Sequence, residues 1–152
     1  MSELKKYQHL GVYGIIINNN KILLIKKCGG PYDGKLDFPG GTIEFGERPI
    51  ETLIRELQEE VGITIDKLNL LDTDSVFFDW NYHDQVIKVF HVGIFYNILK
   101  YHGKIKESIK ITNQNDDSLG AKFYEIDKLK KDNLSRIVIL ELEKLGYNIN
   151  WI

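Results

Sequence analysis

Two apolar runs near the N-terminus have the pattern of paired β-strands. Residues 12–17 and 21–26 are rich in isoleucine and flank three consecutive asparagines at 18–20. Because asparagine tolerates the left-handed backbone of tight turns, this pattern predicts a β-hairpin. Glycine, proline and aspartate at 28–35 predict a loop, and residues 36–38 predict a short strand that ends at Pro39.

The second half of the chain is rich in strand patterns. Residues 68–77 and 85–99 predict two long strands, and residues 121–126 predict a shorter one. The strand at 85–99 is apolar on both alternating faces, as expected of a strand that is covered on both sides. Residues 134–145 have helical spacing and stop at Gly146. This order of elements predicts a mixed α/β (α+β) fold, with helices packed on a sheet, in a single domain over 1–152.

The helix predicted from Pro49 carries two separate stripes. Its apolar residues fall at 50, 53, 54, 57 and 61, which share one side of a helix with 3.6 residues per turn. Glu56, Glu59 and Glu60 cluster on another side, just before Gly62. Neighbouring carboxylates repel by about 0.2–0.5 kcal/mol per pair, and each also opposes the negative end of the helix dipole by about 0.3–1 kcal/mol. A stripe that costs stability indicates a functional role.

Composition narrows the classes of function. The chain has 152 residues, 43% apolar and 28% charged, which is ordinary for a globular domain. A net charge of −2 without a long run of like charges gives no sign of a basic surface that would bind a nucleic acid polymer. No apolar run approaches the ~20 residues that span a bilayer. Cys28 is the only cysteine, which excludes an internal disulfide and, without an export signal, predicts a cytoplasmic protein. The four histidines show no metal-ligand spacing.

The acidic stripe is part of a longer motif, GGTIEFGERPIETLIRELQEEVGI. Five residues separate Gly41 from Glu47, and seven separate Glu47 from Arg55, which the glutamates then follow. This motif resembles the Nudix hydrolase signature at every specified position. The preceding KLDFPGG, the N-terminal hairpin and the strand-rich second half resemble the MutT branch of that family. The resemblance implies an α/β/α sandwich with a mixed central sheet and a loop–helix–loop motif that carries the site.

The resemblance also implies a divalent metal. Glu56, Glu59 and Glu60 would form the metal-binding cluster, with Glu56 and Glu60 as direct ligands and the Gly40 carbonyl as a backbone ligand. Mg²⁺ is the expected cation and Mn²⁺ the alternative, because hard cations prefer oxygen ligands and bridge carboxylates to phosphates. Either Glu56 or Glu59 would take the proton of the attacking water.

A second implied feature is a pair between Glu47 and Arg55, which would brace the loop against the helix. The alternative for Arg55 is a simple pair along the helix with Glu51 or Glu59.

Candidate substrate-binding residues lie outside the motif. They are two cations at the end of a strand and several aromatic side chains, namely Lys26, Lys27, Phe38, Trp80 and Tyr82. Only one of the two lysines should enter the site, because strand neighbours point to opposite faces. Phe38 is either part of a base pocket or part of the core. Trp80 and Tyr82 either stack on a base or lie on the surface.

The resemblance implies two further points. Asp116 and Asp117 are candidates for an additional metal ligand. The implied activity is metal-dependent hydrolysis of a nucleoside diphosphate linked to another group, by attack of water on phosphorus.

Prolines occur only at 31, 39 and 49, so the proline markers of relatives that cleave ADP-ribose or NADH are missing. This favours a nucleoside triphosphate pyrophosphohydrolase whose partner is a small nucleotide. The alternatives are another substrate (a nucleotide sugar, ADP-ribose or a dinucleoside polyphosphate) or a non-catalytic nucleotide sensor. The oligomeric state is left open.

Overall fold

A computed structural model describes residues 4–107 and 118–151. Within those ranges the chain forms eight strands and two α-helices, with two short 3₁₀ helices before the second α-helix. The strands are β1 (Lys5–Ile15), β2 (Ile17–Asn18), β3 (Lys21–Lys27), β4 (Leu36–Asp37), β5 (Gly40–Thr42), β6 (Thr64–Tyr82), β7 (Gln85–His102) and β8 (Ser118–Glu125). The helices are α1 (Pro49–Glu60) and α2 (Arg136–Lys144). No helix in the described ranges is long and apolar enough to cross a membrane.

The strands form two sheets. The larger has the order β5-β1-β7-β6, in which β1 and β7 run parallel and the other neighbours antiparallel. In the smaller sheet β3 is central, with β8 pairing along its length and β2 and β4 pairing near its two ends. The mixed α+β fold with a mixed sheet, which the sequence predicts, is confirmed.

Two hydrophobic clusters lie on opposite faces of the strands. The α1 cluster contains Leu53 and Leu57 with Val12 and Leu23, whereas the α2 cluster contains Ile137 and Leu142 with residues 13 and 24. Because side chains alternate across a strand, consecutive residues of β1 and β3 enter different clusters. The helices therefore cover opposite faces, as the predicted sandwich requires. In β7, Phe95 packs in the α2 cluster and residues 94 and 98 in the α1 cluster, so this strand is covered on both sides as predicted.

The predicted N-terminal hairpin is only partly correct. Asn19 and Asn20 have positive φ values of 50° and 61°, and Ile17 and Asn18 pair with the start of β3. Residues 12–15, however, belong to the other sheet, where β1 lies between β5 and β7. The apolar run continues through this change of sheet, so hydrophobic pattern alone does not reveal where the chain exchanges one partner strand for another.

Two further differences concern short or extended elements. The strand β5 (Gly40–Thr42) was not predicted, because two glycines carry no strand signal. The strands β6 and β7 are longer than the predicted 68–77 and 85–99, since they pair as one long hairpin up to Tyr82 and Gln85.

The helix α2 begins at Arg136, after Ser135, whose hydroxyl accepts a hydrogen bond from the Val138 amide at 3.4 Å.

Glu141 in α2 makes stability depend on pH. The side chain is buried, and its burial, followed by the neighbouring Asp72, raises its pKa to about 7. An acid with a raised pKa in the folded state stabilises the fold below its unfolded pKa and loses that stabilisation as pH rises through 7. We expect Glu141→Gln to raise the free energy of unfolding by about 1–2 kcal/mol at pH 8 relative to the wild type.

The same substitution should bring little change at pH 4, where the wild-type carboxyl is protonated in the folded state. Urea unfolding of both proteins at pH 4, 6 and 8 measures this difference. A gain that is the same at all three pH values would contradict the raised pKa.

Candidate active site

A cavity of about 490 Å³ opens between α1, β5 and the large sheet. One wall is acidic and comes mainly from α1, whereas the opposite wall consists of ring side chains from β1, β7 and the loop after β3. The acidic wall and its neighbours are Asp37, Gly40, Gly41, Thr42, Glu44, Arg55, Glu56, Glu59 and Glu60. The ring wall and its neighbours are Tyr7, His9, Tyr13, Lys27, Cys28, Gly29, Gly30, Pro31, Tyr32, Val89 and His91.

The three glutamates of the acidic stripe all line this cavity, and protein donors hold each of them. Glu60 is only 7% exposed, and its Oε1 accepts a hydrogen bond from the Gly40 amide at 2.9 Å. Arg55 donates from Nη1 to Glu56 Oε1 at 2.9 Å and to Glu59 Oε2 at 3.4 Å. The helical spacing thus brings the three carboxylates together, and Gly40 and Arg55 orient them.

Gly40 and Gly41 have no room for a side chain. Gly40 has φ of +147°, and a Cβ there would fall on the Val12 carbonyl oxygen and lie 2.8 Å from the Tyr13 Cα. A Cβ on Gly41 would lie 2.6 Å from Cδ of Glu56. Glycine at these two positions therefore lets β5 approach β1 on one side and the Glu56 carboxylate on the other.

Arg55 and Glu47 form a two-pronged ion pair. Arg55 Nε donates to Glu47 Oε2 at 2.8 Å, and Nη2 donates to Glu47 Oε1 at 2.9 Å. Arg55 lowers the pKa of Glu47 to about 2, and Glu47, ahead of Glu56, raises the pKa of Arg55 above its usual range. Glu47 also accepts hydrogen bonds from the Glu44 amide at 2.9 Å and the Thr52 hydroxyl at 3.0 Å. The pair thus ties the loop before α1 to the helix and fixes the guanidinium that holds Glu56.

We expect Glu47→Gln and Arg55→Gln each to lower kcat by about 10–100-fold and to lower the melting temperature, because each releases the other partner and, through it, Glu56. The double variant should lose less than the sum of the two single losses, since the shared contact is lost only once. Melting curves and steady-state rates of the four proteins measure the coupling. Additive losses would show that the two side chains do not act as a unit.

The pH dependence of this pair follows from the lowered pKa of Glu47. A depressed carboxyl pKa stabilises the fold above its unfolded value near 4.5, and this is lost as pH falls toward 2. The stability difference between wild type and Glu47→Gln should therefore shrink from pH 6 to pH 3.

The donor set fits a hard divalent cation in its chemistry. It consists of three glutamate carboxylates and a backbone carbonyl, all oxygen ligands of the kind that Mg²⁺ takes. In residues 4–107 and 118–151, however, no three His, Cys, Asp or Glu side chains already stand in metal-binding geometry. Arg55 and the Gly40 amide hold the carboxylates, so an entering cation would compete with both.

The ring wall contains a buried histidine that the sequence did not indicate. His91 is 1% exposed, with Nε2 2.6 Å from the Tyr13 hydroxyl and Nδ1 2.8 Å from the Tyr32 hydroxyl. Burial lowers the pKa of His91 to about 3, so the imidazole is neutral and one tyrosine donates to it while the other accepts from it. The Tyr13 ring reaches His91 by lying over Gly11, where a Cβ would be 2.6 Å from Cζ of the ring. The ring of His9 stacks on His91 at 4.5 Å.

No local sequence pattern predicts this cluster, because it is formed by strand pairing in the tertiary structure. His9 and His91 face each other only because β1 and β7 pair in parallel in that register, across 82 positions of the chain. The absence of metal-ligand spacing among the histidines was therefore no guide to the role of His91 in this wall.

The predicted substrate-binding residues divide into three groups. Lys27 lines the cavity, whereas Lys26 is exposed outside it, as the alternation of a strand requires. Phe38 is fully buried and packs edge-on against Phe95 at 5.8 Å, which corrects the base-pocket interpretation in favour of the core. Trp80 lines a neighbouring pocket, and Tyr82 lies 47% exposed near the hairpin tip, with its ring 4.7 Å from Trp80. The candidate ligands Asp116 and Asp117 lie outside the described residues.

Comparisons with known proteins find similarity over most of the chain. A family model described as NUDIX domain matches residues 7–141. An ADP-ribose pyrophosphatase of Methanocaldococcus jannaschii is 31% identical over 134 residues, which cover 85% of this chain and 72% of that protein. An 8-oxo-dGTP diphosphatase of Escherichia coli is 48% identical over 61 residues, which cover 39% of this chain and 47% of that protein.

Solved structures share the fold. The crystal structure of a MutT NUDIX hydrolase from Burkholderia pseudomallei superposes with a TM-score of 0.71 at 22% identity. The superposition covers 92% of this chain and 99% of that one. At this identity the likeness concerns the arrangement of the strands and helices.

Proposed function

The chain belongs to the NUDIX family of hydrolases, and from this premise we propose that it hydrolyses nucleoside triphosphates to a nucleoside monophosphate and pyrophosphate. Hydrolases of this family act on phosphorus anhydrides and generally use divalent metals. The observation that carries the proposal is the form of the cavity, in which three carboxylates face a wall of rings. A polyphosphate over the carboxylates would place a nucleoside against those rings.

We propose Mg²⁺, or Mn²⁺ in its place, as the cation, held by Glu56, Glu59, Glu60 and the Gly40 carbonyl. When bound, the cation neutralises phosphate oxygens and polarises the phosphorus toward attack by water. The acidic wall would otherwise repel a polyphosphate, because Glu44 and Asp37 add further negative charge around the three glutamates.

The residues of the chain have distinct proposed roles. Glu56 or Glu59 accepts the proton of the attacking water, and Arg55 holds both carboxylates in place. Glu47 positions Arg55. The Lys27 ammonium lies on the cavity wall, where it can offset phosphate charge that the metal leaves unbalanced.

The similarity to an 8-oxo-dGTP diphosphatase of Escherichia coli supports a nucleoside triphosphate as the substrate, because the 61 matched residues are 48% identical. The M. jannaschii relative favours ADP-ribose as a second candidate substrate, since that similarity extends over 85% of this chain. A non-catalytic sensor is less well supported, because all three glutamates and their supporting residues are present.

A hydrolysis screen decides between the candidate substrates. Purified protein with Mg²⁺ is incubated with nucleoside triphosphates (oxidised forms included), nucleotide sugars, ADP-ribose and dinucleoside polyphosphates. We expect pyrophosphate and a monophosphate from at least one triphosphate, at a higher kcat/KM than for ADP-ribose. Release of orthophosphate from every triphosphate, or faster turnover of ADP-ribose, would overturn the proposal.

We further propose that residues 1–152 form one domain. We also propose a cytoplasmic location, because a chain with a single cysteine has no internal disulfide, as is usual in a reducing compartment.

A further inference from the structure

The helix that carries the three glutamates ends without a cation of its own. The last turn of α1 contains Gln58, Glu59 and Glu60 and no basic residue. A basic side chain at this end would offset the negative pole of the helix dipole and bind the last carbonyls, which have no amide partner within the helix. A counter-charge for this end of the helix therefore has to come from another part of the chain.

Lys106, in the segment that follows β7, lies against this helix end. Its ammonium donates to the Glu59 carbonyl at 3.3 Å, and its backbone amide donates to the Val61 carbonyl at 2.8 Å. Its own carbonyl accepts from the Ala121 amide of β8 at 3.0 Å. Lys106 thus joins the end of α1 to the smaller sheet and supplies donors to two carbonyls that the helix itself cannot pair.

Gly62 makes room for the lysine side chain. It has φ of +84°, and a Cβ there would lie 3.1 Å from Cγ and 3.3 Å from Cε of Lys106. A Cβ on Gly103, in the same segment as Lys106, would lie 2.7 Å from the Gly62 carbonyl oxygen. The apolar stem of Lys106 therefore lies along the turn after α1 and carries the ammonium to the helix end.

Two cations from different parts of the chain thus act on the acidic stripe. Arg55 donates to the Glu56 and Glu59 carboxylates and lines the cavity with them. Lys106 reaches the backbone of the same helix end and is not among the described residues that line the cavity. An effect of Lys106 on the reaction would therefore pass through the carboxylates rather than through the substrate.

We propose that Lys106 is a positioning residue that stabilises the metal-free protein and lowers the affinity of the carboxylate cluster for its cation. The inference rests on the proposed metal site of Glu56, Glu59 and Glu60. While no metal is bound, a positive charge at the helix end offsets part of the repulsion among the carboxylates. The same charge repels an entering divalent cation, so the metal-free form gains more from Lys106 than the metal-bound form does.

Binding of Mn²⁺ to the substrate-free protein, followed by electron paramagnetic resonance, measures the effect on affinity. Lys106→Met removes the charge and keeps an unbranched apolar stem beside Gly62. We expect it to bind Mn²⁺ about three- to fivefold more tightly than the wild type at about 0.05 M salt. The gain should fall below about 1.5-fold at about 1 M salt, where screening is nearly complete. Lys106→Gln should behave like Lys106→Met, and Lys106→Arg like the wild type.

The melting temperature with and without metal is the second measurement. In EDTA, we expect Lys106→Met to melt about 2–4 °C below the wild type. At a fixed, near-saturating Mn²⁺ concentration the increase in melting temperature should be larger for the variant, because it binds the cation more tightly. Lys100→Met removes an exposed lysine of β7 and is the control; it should behave like the wild type in both measurements.

A purely structural cap would lower the melting temperature and leave the affinity for Mn²⁺ unchanged or weaker. That result, a gain in affinity that salt does not reduce, or an equal gain in Lys100→Met would overturn the proposed role of Lys106 and leave the proposed function standing. Glu60→Gln distinguishes the failure of both. If the wild type binds Mn²⁺ no more tightly than Glu60→Gln, the proposed metal cluster is wrong, and the role of Lys106 is wrong with it.

Discussion

Replacing Glu60 by glutamine is expected to lower kcat by at least ~10²-fold while the protein stays folded. Glutamine keeps the size of the side chain and can still accept the hydrogen bond from the Gly40 amide, which Glu60 Oε1 receives at 2.9 Å. It removes the charge that the proposed cation requires. The melting temperature should be unchanged or higher, because Glu60 is only 7% exposed and its carboxylate lies beside Glu56 and Asp37 in the same cavity wall.

Steady-state rates over a range of Mg²⁺ concentrations, together with thermal melting, measure this prediction. Glu51→Gln is the matched control, since Glu51 is on the same helix but outside the cavity, and its kcat should stay within about twofold of wild type. Near-normal turnover of Glu60→Gln with an unchanged or raised melting temperature would refute the proposed role of Glu60 as a metal ligand.

The second prediction compares alanine substitutions at two adjacent glycines, which should impair the protein for different reasons. Gly40→Ala should destabilise the fold by about 2–4 kcal/mol, because its Cβ meets the Val12 carbonyl and its φ of +147° is strained for any L side chain. Gly41→Ala should leave most of the stability, because its Cβ meets the end of the Glu56 side chain, 2.6 Å from Cδ, which can move away. The displaced carboxylate should lower kcat by about 10–100-fold.

Melting temperatures and rates of the two variants separate the effects. Gly40→Ala should melt well below the wild type, whereas Gly41→Ala should be nearly as stable as the wild type and poorly active. If Gly41→Ala keeps full activity, the position of the Glu56 carboxylate is not important for the reaction. If Gly40→Ala melts like the wild type, β5 does not need to lie as close to β1 as the structure has it.

The sequence by itself determined most of the helices and strands and the acidic stripe that forms one half of the site. Helical periodicity places Glu56, Glu59 and Glu60 on one stripe whatever the rest of the chain does, and Pro49 and Gly62 delimit that helix. The motif also contains Gly40 and Gly41, but the atoms that a Cβ would meet there belong to Val12, Tyr13 and Glu56, which only the tertiary structure brings close. The helical stripe depends on neighbours within a few residues, so a linear pattern is enough to predict it.

The ring half of the site was decided only by tertiary structure. His91 joins Tyr13 because β1 pairs with β7 in parallel, and Tyr32 reaches the same imidazole from a loop. Phe38 and Trp80 were both candidates for contact with a base, yet Phe38 is in the core and Trp80 lines a pocket next to the cavity. The physical reason is that strand pairing joins residues far apart in the chain, and many registers bury similar apolar area. Packing of the whole domain selects one of them, and only that choice determines which side chains line a cavity.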